Sequence, residues 1–173
     1  MQKNLRSPLD ALRVVAVANP CFFMNQSQHL ISLWKEGRTR FSNLLTTITE
    51  GDLAKKLGEA PNSAGFLIRH IGEVELLFSK NVFGLAEVQV HAKTVIAKRD
   101  TGEWTNLEEL ISYQQAAFET LGKAIAAQSD NSWEETITTK EFGTKTKEEA
   151  LGRITTHTAY HAGQLAIILK YGK

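Results

Sequence analysis

Apolar residues recur at three- and four-residue spacing in four separate stretches of this chain, the period of a helix with one buried face. The first runs from Gln28 to about Thr49 through Leu30, Leu33, Trp34, Phe41, Leu44, Leu45 and Ile48, and Gly51-Asp52 ends it. Pro61-Asn62-Ser63 opens the second, with Asn62 or Ser63 as N-cap. Its stripe of Leu67, His70, Ile71, Val74, Leu77 and Phe78 stops at Gly84. The third follows Asn106, which with Glu109 reads as a capping box. It carries Leu107, Leu110, Ile111, Ala117, Phe118, Leu121 and Ile125 to about Gln128. The fourth starts near Thr146, whose hydroxyl can cap ahead of Glu148 and Glu149. It continues through Ile154, Thr158, Ala162, Leu165 and Ile168 to Tyr171. Four amphipathic helices without an internal repeat predict an all-α, four-helix bundle.

The connections constrain how those helices run. Residues 84–105 form a linker of about twenty-two residues, and an extended chain covers about 3.3 Å per residue. A twenty-residue helix is about 30 Å long. The linker can therefore return along the bundle and let the second and third helices run parallel. Val88-Gln89-Val90 and the stretch from Thr136 to Phe142 could add short strands, with no real sheet expected. Residues 1–24 hold two prolines and no clean period. They read either as a short helix and loop on the domain, or as an extension upstream of a start at Met24; residues 25–173 form the bundle domain.

Composition narrows the function classes. At 173 residues with 42% hydrophobic content, the chain suits one domain with a substantial core. A net charge of +1, with acids and bases intermixed, leaves no electrostatic footprint for nucleic acid or a membrane surface. No run reaches the roughly 18 apolar residues of a transmembrane helix. Residues 11–23 come nearest to a signal peptide, but Arg13 lies in the start and Asn19-Pro20 breaks the apolar run. The lone Cys21 excludes an intrachain disulfide and any multi-thiolate metal site, reads as structural or incidental, and fits a cytoplasmic setting. No phosphate loop, dinucleotide fingerprint or nucleophile elbow is present.

The chemistry lies in the histidines. His157 and His161, four apart on one helix, stand one above the other with Cβ atoms about 5–6 Å apart. His70 falls within the apolar stripe of the second helix. Three inward imidazoles on two helices make a facial set that leaves a coordination position open, as a catalytic metal site does. Such ligands suit zinc, nickel, copper or iron. Glu73, Tyr160 and Gln164 flank these rings as candidate proton-handling or orienting groups. Glu73, Glu75 and Tyr160 sit at stripe boundaries and are expected on the solvated face. Gln114 interrupts the third helix's apolar face and could look into the same cavity. His29 precedes the first stripe and His91 lies in a linker, so neither is expected to ligate.

Two segments, Asn62-Ser63-Ala64-Gly65-Phe66-Leu67-Ile68-Arg69-His70-Ile71-Gly72-Glu73-Val74-Glu75 and Thr156-His157-Thr158-Ala159-Tyr160-His161-Ala162-Gly163-Gln164, together resemble the DinB-like family over roughly residues 28–171. The resemblance implies an up-down-down-up bundle and a divalent metal, commonly nickel or zinc, held by His70, His157 and His161. It implies a homodimer as well. Relatives of this kind include transferases and isomerases that use a low-molecular-weight thiol, acting on a small-molecule substrate. Where many members carry a second adjacent histidine and an arginine, this chain has Tyr160-His161-Ala162. Thiol transfer and metal-dependent hydrolysis both remain open on residue chemistry. So do a non-enzymatic metal-binding stress-response protein and a metal-free interaction module.

Overall fold

Residues 25–173 are described in a computed structural model; the expectations for residues 1–24, Cys21 included, fall outside them. Four long helices, α1 (Gln26–Leu45), α2 (Ala64–Asn81), α4 (Leu107–Ala126) and α5 (Lys147–Tyr171), surround the core, with a short α3 (Lys93–Ala97) in the long linker. Asn25 and Gln28 cap α1 reciprocally. It stops four residues earlier than the periodicity predicts, because the Thr46 and Thr47 hydroxyls turn back onto the carbonyls of Asn43 and Leu44. Ile48 is buried without being helical. Ser63, rather than Asn62, caps α2 through the Phe66 amide. At α4, Asn106 accepts from the Glu109 amide, but Glu109 takes the Asn106 side-chain amide, so the expected capping box is half formed. The box at α5 is complete, between Thr146 and Glu149.

Hydrogen bonds at the helix ends set the directions. Gln128, just past α4, donates to the Phe83 carbonyl just past α2, so these two helices run parallel. Ser27 at the start of α1 donates to the Gln128 carbonyl, making α1 antiparallel to α4. Lys173, after α5, bonds Lys56 ahead of α2, so α5 is antiparallel to α2. The order is up-down-down-up. The sides of the square are α1–α4, α4–α2, α2–α5 and α5–α1, so consecutive long helices α1 and α2 lie on one diagonal, and α4 and α5 on the other. Between α2 and α4 the backbones come close. A Cβ on Gly72 would stand 2.7 Å from Gln114 Nε2 and 2.9 Å from the Tyr113 ring.

Of the two stretches that could add short strands, one does so as a small hairpin: Thr136–Thr139 pairs antiparallel with Gly143–Thr146. Threonines favour the pleat, the Thr138 and Thr144 hydroxyls bond across it at 2.8 Å, and Gly143 supplies a φ of +71° at the turn. Ile137 and Phe142 anchor it on the core. The stretch Val88–Val90 is not a strand; Val88 packs instead with Leu76 and Ala117.

Two apolar clusters fill the bundle. One holds Trp34, Phe78, Leu121, Trp133 and Ile154, the other Phe41, Leu67, Ile68, Leu110, Leu165 and Ile168. All four long helices also contribute buried polar residues, among them Arg38, Glu75, Gln114 and Thr158. Arg38 grips Glu75 with two bonds, Nε to Oε1 at 2.7 Å and NH2 to Oε2 at 3.1 Å. It also donates to Gln114 Oε1 at 2.8 Å and Ser42 Oγ at 3.0 Å. The Gln114 amide donates in turn to the Ile68 carbonyl. Burial pushes the Glu75 carboxyl upward, and the charged guanidinium opposes that shift.

Candidate metal centre

His70 on α2 faces His157 and His161 on α5, and one nitrogen from each ring lies within 4.8 Å of the other two. The helical stripes put all three where α2 meets α5. His157 Nε2 stands 3.2 Å from His70 Nε2. Two nitrogens on one ion at about 2.1 Å stand about 3.0–3.4 Å apart at tetrahedral or octahedral angles, so the spacing fits shared ligation. His157 Nδ1 is buried with no hydrogen-bond partner among the described residues.

Neighbouring side chains determine which nitrogen of each ring is free. Glu73 is wholly buried, accepts Arg69 Nε at 2.9 Å, and takes both the backbone N–H and the hydroxyl of Thr94. A carboxylate only accepts, so the Thr94 hydroxyl spends its proton on Glu73 and accepts from His70 Nδ1 at 3.0 Å. The lone pair of His70 is thereby left on Nε2, toward the other rings. At His161, Nδ1 meets Gln164 Oε1 at 2.7 Å, and Gln164 Nε2 donates to the Tyr160 hydroxyl at 3.0 Å. That chain frees His161 Nε2 in the same way. Such partners orient metal-ligating imidazoles generally.

Burial keeps the rings neutral, the form a metal needs. It brings His70 down to about 4, helped by His161, and His157 down to about 3, helped by His161, His70 and Arg153. His161 also falls through burial, partly offset by Gln164. An unfolded imidazole takes its proton near 6.5. Between that value and about 4, the unfolded chain binds more protons than the folded one, so stability falls as pH falls. We expect the urea midpoint of the metal-free protein to drop across this window, and His157→Leu to show a shallower drop. Equal slopes for the two proteins would contradict neutral buried rings.

The remaining candidates divide. Glu73 and Glu75, expected on the solvated face, are wholly buried, whereas Tyr160 is exposed. The polar contacts of Glu73 are with Arg69 and Thr94, and through Thr94 it reaches His70. Gln114 belongs to the Arg38 cluster and is not brought to the histidines. His29 and His91 are exposed and apart from the group. Thr94 went unnoticed in the sequence because it lies in a linker with no period. Arg38 and Glu75 did leave a signal, since each occupies a stripe position, between Trp34 and Phe41 and between Ile71 and Phe78.

Beside the rings a cleft of about 290 Å³ is lined by Val74, Phe78, Glu141, Arg153, Thr156, His157 and Tyr160. It lies between α2, α5 and the hairpin tip, and His157 and Tyr160 are where it meets the histidine group. No described helix is long and apolar enough to cross a membrane.

The DinB superfamily profile matches residues 33–165, most of the chain, and the protein belongs to that superfamily. Solved structures agree in fold. A DinB-like protein from Bacillus subtilis is 19% identical, with a TM-score of 0.61 over 82% of this chain and 90% of its own. YfiT from Bacillus subtilis, described as a probable metal-dependent hydrolase with an unusual four-helix bundle topology, is 10% identical. Its TM-score is 0.63, over 88% of this chain and 92% of its own. A histidine-to-alanine mutant of a mycothiol-dependent maleylpyruvate isomerase is 16% identical, with a TM-score of 0.60 over 80% of this chain and 60% of its own. No curated protein sequence matches the chain.

Proposed function

We propose that this protein is a metal-dependent enzyme that transfers a low-molecular-weight thiol to a small electrophile, with His70, His157 and His161 holding a nickel or zinc ion. The observation that carries the reading is the convergence of three neutral imidazoles beside a cleft. Two of the rings have their free nitrogen set by Thr94 and Gln164. A divalent ion held there would supply Lewis acidity, which lowers the pKa of a thiol or water.

The chain's own residues divide the remaining work. Val74 and Phe78 give the cleft an apolar wall that excludes water from part of it. The Tyr160 hydroxyl accepts from Gln164 and so keeps its own hydrogen free to donate where charge develops on the electrophile. Glu73 is saturated by Arg69 and Thr94, which leaves Glu141 as the described carboxylate lining the cleft. What favours a thiol nucleophile over water is the family resemblance, with a mycothiol-dependent isomerase among the structures of similar fold. We further propose a homodimer, as the family resemblance implies.

Elemental analysis of the purified protein, His70→Ala and His157→Ala tests the ligands. Wild type should carry stoichiometric metal and both variants little. If all three carry the same negligible amount, the proposal is wrong. Metal-loaded protein should then consume small thiols in the presence of electrophiles; turnover of esters or amides without thiol would point to hydrolysis instead.

A further inference from the structure

Arg153 lies four residues before His157 on α5, so their Cβ atoms stand about 5–6 Å apart on one helix face. Both line the cleft, with Thr156 and Tyr160 on the same helix. None of the hydrogen bonds that orient the histidines involves Arg153. Its contacts come instead from the hairpin tip. The guanidinium lies over the Phe142 ring, 5.4 Å from its centroid, and NH2 reaches Glu141 Oε1 at 3.3 Å. Phe142 in turn packs on Phe78 across the cleft wall, with ring centroids 5.9 Å apart. The tip therefore does two things: an aromatic ring holds the guanidinium over the cleft, and a carboxylate occupies its donors.

These two contacts differ in permanence. Phe142 is half-buried and anchored on the core. The ion pair is open to water, its side chains 43% and 65% exposed, and exposed pairs of this kind add little to stability. Among the described residues, Arg153 is the one hydrogen-bond partner of the Glu141 carboxylate. A carboxylate entering the cleft can take the same planar fork, which matches two carboxylate oxygens, while the stacking on Phe142 persists.

From this arrangement we infer that Arg153 is the anchor for a carboxylate group on the small molecule that reacts at the histidine group, and that Glu141 holds that position until the ligand displaces it. The inference rests on the metal-dependent reading above and adds the substrate class: a small carboxylate-bearing thiol, with its sulfur about one helical turn from its acid group. The cleft, at about 290 Å³, suits a small molecule of this kind. The hairpin thereby becomes part of the binding site.

N-acetylcysteine and N-acetylcysteine amide share a thiol and differ only in the acid group, which makes them suitable probes for calorimetric titration of the metal-loaded protein. Wild type should bind the acid about tenfold more tightly than the amide, the difference expected from one charge-assisted contact. Arg153→Gln should abolish that preference while leaving metal content and amide affinity unchanged, and Glu141→Gln should strengthen acid binding a few-fold. An acid preference that survives in Arg153→Gln would place the carboxylate elsewhere and overturn the inference. So would equal binding of the two probes by wild type, or no acid binding at millimolar concentration. Elemental analysis of the same samples separates the two levels: absence of metal in wild type defeats the functional reading, whereas metal without acid preference defeats only the assignment of Arg153.

Discussion

Arg38→Leu is expected to destabilise the protein by about 3–5 kcal/mol, because removing one partner of a buried ion pair strands the other. The stranded group is the Glu75 carboxyl, wholly buried at the centre of the bundle. Burial already pushes it upward, and without the guanidinium the main opposition to that shift is gone, leaving only the Thr158 hydroxyl. Glu75 would then stay protonated in the folded variant at pH values where the unfolded chain has ionised it. The folded state binds the extra proton, so the penalty should be smallest below about pH 4, near the unfolded carboxyl's pKa, and grow as pH rises. Gln114 loses a donor as well. Urea unfolding of wild type and variant at several pH values measures this. A double variant, Arg38→Leu with Glu75→Leu, should recover much of the loss, as apolar replacements of buried pairs do elsewhere. A loss below about 1 kcal/mol in the single variant, the range of an exposed pair, would show that the pair is not desolvated.

Thr94→Val removes a hydroxyl and keeps the shape, and should weaken metal binding about 10–100-fold, the usual effect of losing a group that orients a ligand. Two changes act together. His70 Nδ1 loses its acceptor, so the tautomer with the lone pair on Nε2 is no longer favoured, and Glu73 loses one of its donors. A competitive chelator titration gives the affinity. Nitrogen chemical shifts of the His70 ring in the metal-free protein report the tautomer directly. Thr94→Ser, which keeps the hydroxyl, should restore both. If Thr94→Val binds metal as wild type does, the hydrogen bond does not position the ligand.

The helices and the histidines were legible because both depend on a period. His70, His157 and His161 each lie in an apolar stripe, and a stripe points toward a core wherever the partner helices are. Arg38 and Glu75 lie in stripes too, but a charged residue there is recognisable as buried only when its partner is known. Theirs are thirty-seven residues apart on different helices. Thr94 could not be found at all: its role depends on the linker folding back along α2, which no local pattern encodes. The hairpin's seat on the core is hidden from the sequence for a similar reason. Its threonines and Gly143 signal a turn, but the anchoring of Ile137 and Phe142 on the core belongs to the tertiary structure.

The diagonal placement of consecutive long helices bears on how the chain reaches this structure. Neither α1 with α2 nor α4 with α5 forms a side of the square, so no early helical hairpin can zip up locally. Three of the packed sides, α1–α4, α1–α5 and α2–α5, join helices that are not sequential, and the fourth, α2–α4, is closed only across the long linker. Loop-closure entropy must be overcome before those distant contacts form, which slows folding relative to bundles whose neighbours are sequential. A ribosome-bound chain ending in the long linker would hold α1 and α2 without α4 or α5, the long helices that pack against them. The cleft beside the histidines, shared between α2, α5 and the hairpin, exists only once the last helix has closed the square.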